Sequence, residues 1–215
     1  TSMLNALSGF IPEGERVVVI EDSREVQFQK PHVVQLEARP PDPKGKGAVS
    51  IRDLFRATLR MRPDRVVVGE IRGGEALELV QAMTSGHGGC MSTVHATYPT
   101  DTLSRLETMA LMSSVVLPLQ ALRAQISSAI DIIVQTSRMR DGSRCVTHIS
   151  EVLGLDSNGA YRIADIFLRG EAASGAGMSL LPTGYIPAAG ETVRAMGMDL
   201  PASIYRAASA RRDRT

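Results

Sequence analysis

The chain has 215 residues, with 24 Lys plus Arg against 23 Asp plus Glu and a formal net charge of +1. Apolar residues make up 43% and charged residues 22%, which excludes wholesale disorder and a globally basic nucleic-acid binder. Four Phe, four Tyr and no Trp leave little material for a base-stacking platform, so the core must be built from aliphatic side chains and ten Met.

The first ten residues place Met3, Leu4, Leu7 and Phe10 at helical spacing and stop at Gly9 and Pro12. ERVVVIED follows, a Val-rich run flanked by charge that fits a strand buried on both faces of a parallel sheet. HVVQLE is a second extended piece, and ARPPDPKGKG behind it must be a loop. Ser50 starts a helix with a capping-box spacing to Asp53; Arg52, Arg56 and Arg60 recur along one face, read as solvated or intersubunit, and Pro63 ends the helix. DRVVVGE is another Val-rich strand. Gly73 and Gly74 open a helix running to about Ser85, GCMSTVHA is a third strand, and residues 100–112 and 119–130 are two amphipathic helices. Beyond Asp131 the period changes to that of strands: DIIVQT, RCVTHISEVLGL and AYRIADIFL, with Asn158-Gly159 as the pair of a tight hairpin. EAASGAGMS reads as small and flexible, and the chain ends in a charged RRDRT tail. Cys90 and Cys145 have no partner pattern and read as reduced thiols; residues 110–122, the least polar long stretch, are too short to span a bilayer.

Alternation of strands and helices over the first 130 residues implies an α/β fold with a mostly parallel sheet, whose ligands sit at the carboxyl ends of the strands. Three strands deliver Glu21, Asp22, Glu25, Glu70 and His95 to that edge, with His87 at the entry of the third. Crowded carboxylates there would repel one another without a divalent cation or a bound phosphate–metal complex between them. Taken singly, each has an ordinary structural reading: a carboxylate after a strand serves as a cap or loop charge, Asp22 caps its own turn, and a lone histidine is a core or edge group. Their coincidence at three strand ends is what points to a site.

IEDSRE, RMRPDRVVVGEIRGGEA and SGHGGCMSTVHA resemble the Asp box, Walker B box and His box of the secretion ATPases, a superfamily in which the order and spacing of the boxes are diagnostic together. PHVVQLEARPP, LSRLETMALM and SAIDIIVQTSRMRDGSRCVTHISEV resemble its CpaF/TadA branch, the motor of Flp or tight-adherence pilus assembly related to the ATPases of type II and type IV secretion. The resemblance runs through about residue 170. It implies a RecA-like P-loop core followed by a small C-terminal β-hairpin and helix appendage, with the ATPase core over 1–137, strands completing the core over 138–170 and a flexible C-terminal segment over 171–215. The chain opens on Thr1 rather than Met. By resemblance Thr1 is the last residue of a Walker A loop, the start is a cut, and the fragment lacks the phosphate-binding Lys and is impaired in binding ATP.

The resemblance further implies ATP and Mg²⁺ as cofactors, with Thr1 and Glu70 at the metal, partly through water. Glu25, Glu70 and His95 would carry catalysis, Glu25 orienting the attacking water. Thr1, Ser2, Asp22, Arg72 and His87 would line the nucleotide, and Arg39, Arg60 and Arg62 are candidate arginine fingers. The implied partners are further copies in a hexameric ring and the platform proteins of a pilus or secretion machine, at the cytoplasmic face of the inner membrane without insertion. Two other readings stand beside it: a non-catalytic RecA-like interaction module, and a metal-dependent hydrolase using His87, His95 and Glu70. Against the last, His87 and His95 lie at opposite ends of one strand.

Overall fold

A computed structural model describes residues 1–171, 177–198 and 200–206. Residues 172–176, in the stretch expected to be flexible, and the RRDRT tail lie outside the described residues. The chain divides into two compact units: Thr1–Ala96 with Ser104–Ala129, and Thr97–Leu103 with the described residues from Ile130 onward.

The first unit is built on a four-stranded parallel sheet. Its strands β1 (Val17–Glu21), β2 (Val33–Glu37), β3 (Arg65–Val68) and β4 (Met91–Ser92) lie in the order β2-β1-β3-β4. Both Val-rich runs are the central strands, and every residue of β1 is buried, as continuous apolar runs with both faces covered require. Alternation sends Val17 and Val19 to one face, where they meet Val67, Val26, Phe28, Ile11 and Leu4 of helix α1 (Ser2–Ser8). The other face is covered by α2 (Ile51–Thr58), which packs on β1 and on α3 (Glu75–Thr84); α3 in turn packs on α5 (Leu119–Ala129). Glu107, on α4 (Pro99–Leu111), pairs with Arg123 of α5 at 2.7 Å.

The Ser50–Asp53 capping box is present: the Ser50 hydroxyl accepts from the Asp53 N–H and the Asp53 carboxylate accepts from the Ser50 N–H. The hydroxyl also donates to that carboxylate, holding the Asp53 carboxyl below its usual range. The helix ends at Thr58, a turn earlier than the sequence suggests. Arg62 precedes Pro63, which disfavours helical backbone, and it adopts φ 51; Arg60 therefore leaves the helical stripe that Arg52 and Arg56 continue. The third strand is also shorter than the GCMSTVHA run, only two residues, although the Ile71 N–H still donates to the Thr93 carbonyl beyond it.

The strands expected to complete the core lie instead in the second unit. Strands β5 (Ile132–Arg138), β6 (Arg144–Leu155), β7 (Tyr161–Glu171) and β8 (Met178–Pro182) form their own antiparallel sheet in sequence order. β5, expected in the core, lies here because it pairs with β6. β8 lies within the stretch expected to be flexible and runs beside β7 from Met178 to Pro182. The β6–β7 connection is not the two-residue turn that Asn-Gly suggests. Asp156 and Ala160 close a three-residue loop in which Gly159 alone takes a positive φ of 77, while the Asp156 carboxylate accepts the N–H groups of Asn158 and Ala160. Helix α6 (Ala189–Ala195) is fastened to β6 by buried Glu151, which accepts from the Tyr185 hydroxyl at 2.6 Å and the N–H groups of Ala188 and Ala189.

Candidate functional site

Because the strands of the first sheet are parallel, their carboxyl ends share one edge. Glu21 ends β1, with Asp22 and Glu25 on the loop beyond; Glu70 lies two residues past β3 and His95 three past β4. Glu70 is the junction. Its Oε1 lies 3.0 Å from His95 Nε2 and its Oε2 accepts from the Arg72 guanidinium at 2.6 Å. That hydrogen bond, with the charges of Arg72, His95 and Arg105 adding to it, holds the Glu70 carboxyl below the usual carboxylate range. Arg72 is held more firmly protonated, chiefly by Glu70, and also feels Asp22 and Glu25. The acidic edge therefore contains its own cation, which offsets part of the repulsion expected from the sequence.

Local structure fixes these groups. Glu75, the first residue of α3, folds back to accept the N–H groups of Arg72 and Gly73 at 2.8 and 2.9 Å, setting the turn that carries Arg72. The Thr1 hydroxyl donates to Glu25 Oε2 at 2.7 Å, and the Gln27 N–H donates to Asn5 of α1, so helix and loop are joined at two points. Ser2 opens α1 and is exposed.

Thr1, Asp22, Glu25, Glu70, Arg72 and His95 are thus brought to one edge. His87 is not among them: it precedes β4, at the strand's amino end, where the Cys90 thiol donates to its carbonyl and its buried Nδ1 has no hydrogen-bond partner. The hydrolase reading loses its geometry there, and the described residues hold no cluster of three or more metal-ligating side chains. Glu21 also departs from expectation, since it is 5% exposed and turned inward onto backbone N–H groups. The roles of Glu75 and Arg105 escaped the sequence reading; the only signal for Glu75 was its place at the start of a helix behind two glycines.

A family model described as "Type II/IV secretion system protein" matches residues 1–162. The chain belongs to this family. The type IV secretion system protein PtlH of Bordetella pertussis is 44% identical over 142 residues, covering 64% of this chain and 42% of PtlH. The conjugal transfer protein TrbB of Rhizobium radiobacter is 32% identical over 161 residues, covering 74% of this chain and 46% of TrbB. Among solved structures, the VirB11 ATPase of the Brucella suis type IV secretion system, crystallised with sulphate, aligns with a TM-score of 0.61 and 31% identity, over 69% of this chain and 43% of that one. The chain spans less than half the length of these secretion-family relatives.

Proposed function

We propose that this chain carries the hydrolytic site of a secretion-family motor, of the CpaF/TadA kind, which uses Mg²⁺ and ATP to drive pilus assembly or protein secretion. The observation that carries the reading is the set formed by Thr1, Glu25, Glu70, Arg72 and His95 at the carboxyl edge of a parallel sheet. Family membership and the likeness to an ATPase crystallised with sulphate support it.

The donor set fits the cofactors. Thr1 and Glu70 present the oxygen donors that Mg²⁺ prefers, an ion that commonly needs only one or two protein ligands beside phosphate and water. These two residues would hold it, Glu70 partly through water, and Mg²⁺ when bound neutralises charge on the phosphate oxygens. Glu25 accepts a hydrogen bond from the attacking water and takes its proton, while the Thr1 hydroxyl holds that carboxylate in place. Arg72 offers a guanidinium to anionic oxygens, and Asp22 shapes the turn between Glu21 and Glu25. His95, fully in reach of Glu70, couples the occupancy of the site to β4.

The motor works as a homo-oligomer, a hexameric ring in this proposal, docked on membrane platform proteins. Exposed Met112 (66%) and Val116 (96%), beside Leu111, Val115 and Leu119, support contact with other chains. Among the described residues no helix is long and apolar enough to cross a membrane. The test is Mg²⁺-dependent ATP hydrolysis by the full-length protein. Glu25→Gln lowers turnover by about 10²–10⁴, the usual worth of a positioned base. Unchanged turnover in that variant would falsify the role of Glu25, and an inactive wild type would favour the non-catalytic interaction module.

A further inference from the structure

We infer that Glu21 and Gly69 form a fitted pair that positions the loop bearing Glu25, which makes Glu21 a positioning residue for the reaction; the inference rests on the reading of Glu25 given above. A carboxylate at the carboxyl end of a parallel strand would ordinarily face the ligand edge. Glu21 instead turns inward, and its Oε1 accepts the N–H groups of Glu25 at 3.1 Å and Val26 at 2.9 Å. The turn over residues 22–24 is therefore closed by a side chain. Beyond it, Val26 is fully buried with Leu4 and Phe28, and the Gln27 N–H is held by Asn5. Glu25 is anchored on both sides through its backbone while its own side chain stays exposed.

Gly69 provides the room. A Cβ there would lie 2.8 Å from Glu21 Cγ and 3.1 Å from its Oε1. These are not the atoms of a free tip, since the carboxylate is committed to two amides and buried. Nor can Gly69 recoil: its N–H donates to the Ile20 carbonyl at 2.9 Å, and its carbonyl accepts the Thr93 hydroxyl. The same position precedes Glu70, so any side chain at 69 presses on the strand ends that carry both Glu25 and Glu70. An acid at 69 would also set a second carboxylate against Glu21. The glycine before Glu70 thus follows from the carboxylate next door.

The test uses the full-length protein with Glu21→Ala, Gly69→Ala, their double variant and Glu21→Gln. Amide exchange at Glu25 and Val26 is read beside kcat and KM for ATP. In each single Ala variant the two amides exchange fast while Val18 and Val67 stay protected. Displacing an oriented group lowers kcat by about tenfold to a hundredfold with KM within about threefold. The double variant is no worse than Glu21→Ala alone, because the clash disappears with the side chain. Glu21→Gln, which keeps an acceptor oxygen at the same reach, retains the amide protection and most of kcat, and supplies a folded comparison if Glu21→Ala unfolds. Unmoved amides in Gly69→Ala, or losses that add in the double variant, overturn the pairing. A kcat loss matched by an equal rise in KM reduces Glu21 to a structural role. If Glu21→Ala frees the amides but Glu25→Gln turns over normally, the pairing stands and the reading of Glu25 fails.

Discussion

Replacing Glu151 by Ala tests how the second unit holds α6. Three donors converge on this carboxylate, the Tyr185 hydroxyl at 2.6 Å and the N–H groups of Ala188 and Ala189 at 3.1 and 3.2 Å. Hydrogen bonds to a charged group contribute about 1.5–3 kcal/mol each, but water can reach the two amides once the side chain is gone, so the expected loss is about 2–3 kcal/mol. That is a large share of the roughly 5–15 kcal/mol that holds a typical domain. Urea unfolding followed by circular dichroism measures the loss. Amide exchange locates it: α6 opens while β6 and β7 stay protected. The network also has a pH signature. The hydrogen bond to Glu151 is the main reason the Tyr185 phenol is pushed up from 10.0 to about 12. The fold favours the protonated phenol, so its stabilisation is whole below pH 10 and is lost as pH rises toward 12. Solvent screening of this partly exposed ring keeps that contribution to about 1 kcal/mol. Tyr185→Phe removes that alkaline step. A loss below about 0.5 kcal/mol in Glu151→Ala, with α6 amides unchanged, would refute the account.

Arg72→Met removes the main cause of the lowered Glu70 carboxyl, so the acid limb of kcat moves to higher pH; an unmoved limb means that Glu70 is not the titrating group. Phe55→Ala empties a site only 1% exposed and costs about 3–5 kcal/mol in denaturant titration. Ser50→Ala deletes the hydroxyl that caps α2 and costs about 1 kcal/mol by the same titration. Gly159→Ala forces a side chain into φ 77 and costs about 1 kcal/mol, whereas a cost near zero would show that the β6–β7 loop relaxes.

Features set by near neighbours were legible in the sequence. The runs at Val17 and Val66 declare buried parallel strands because both faces need apolar side chains, and Ser50 and Asp53 form their box within a single turn. Features set by distant partners were not. Whether Glu21 faces solvent or the interior depends on a glycine 48 positions later, which no local pattern contains. β8 was unreadable because Met178–Pro182 is short and ends in proline, and it becomes a strand through the pairing edge that β7 offers. The Asn158-Gly159 pair misled because the Asp156 carboxylate captures two amides and widens the loop. Within the site, proximity of Glu70 to His95 follows from strand order, but the bond from Arg72 to Glu70 depends on Glu75 folding back, a side-chain choice that sequence spacing leaves open.

The two cysteines give each unit its own chemical reporter. Cys90 sits just before β4, its thiol pushed up by burial and donating to a backbone carbonyl, so its thiolate is scarce while the first unit stays closed. Cys145 lies on β6 and belongs to the second unit. Alkylation followed by mass spectrometry is therefore read at one site per unit in one unmodified chain: the Cys90 adduct follows the opening of the parallel sheet, and half-exposed Cys145 reports access to the antiparallel one.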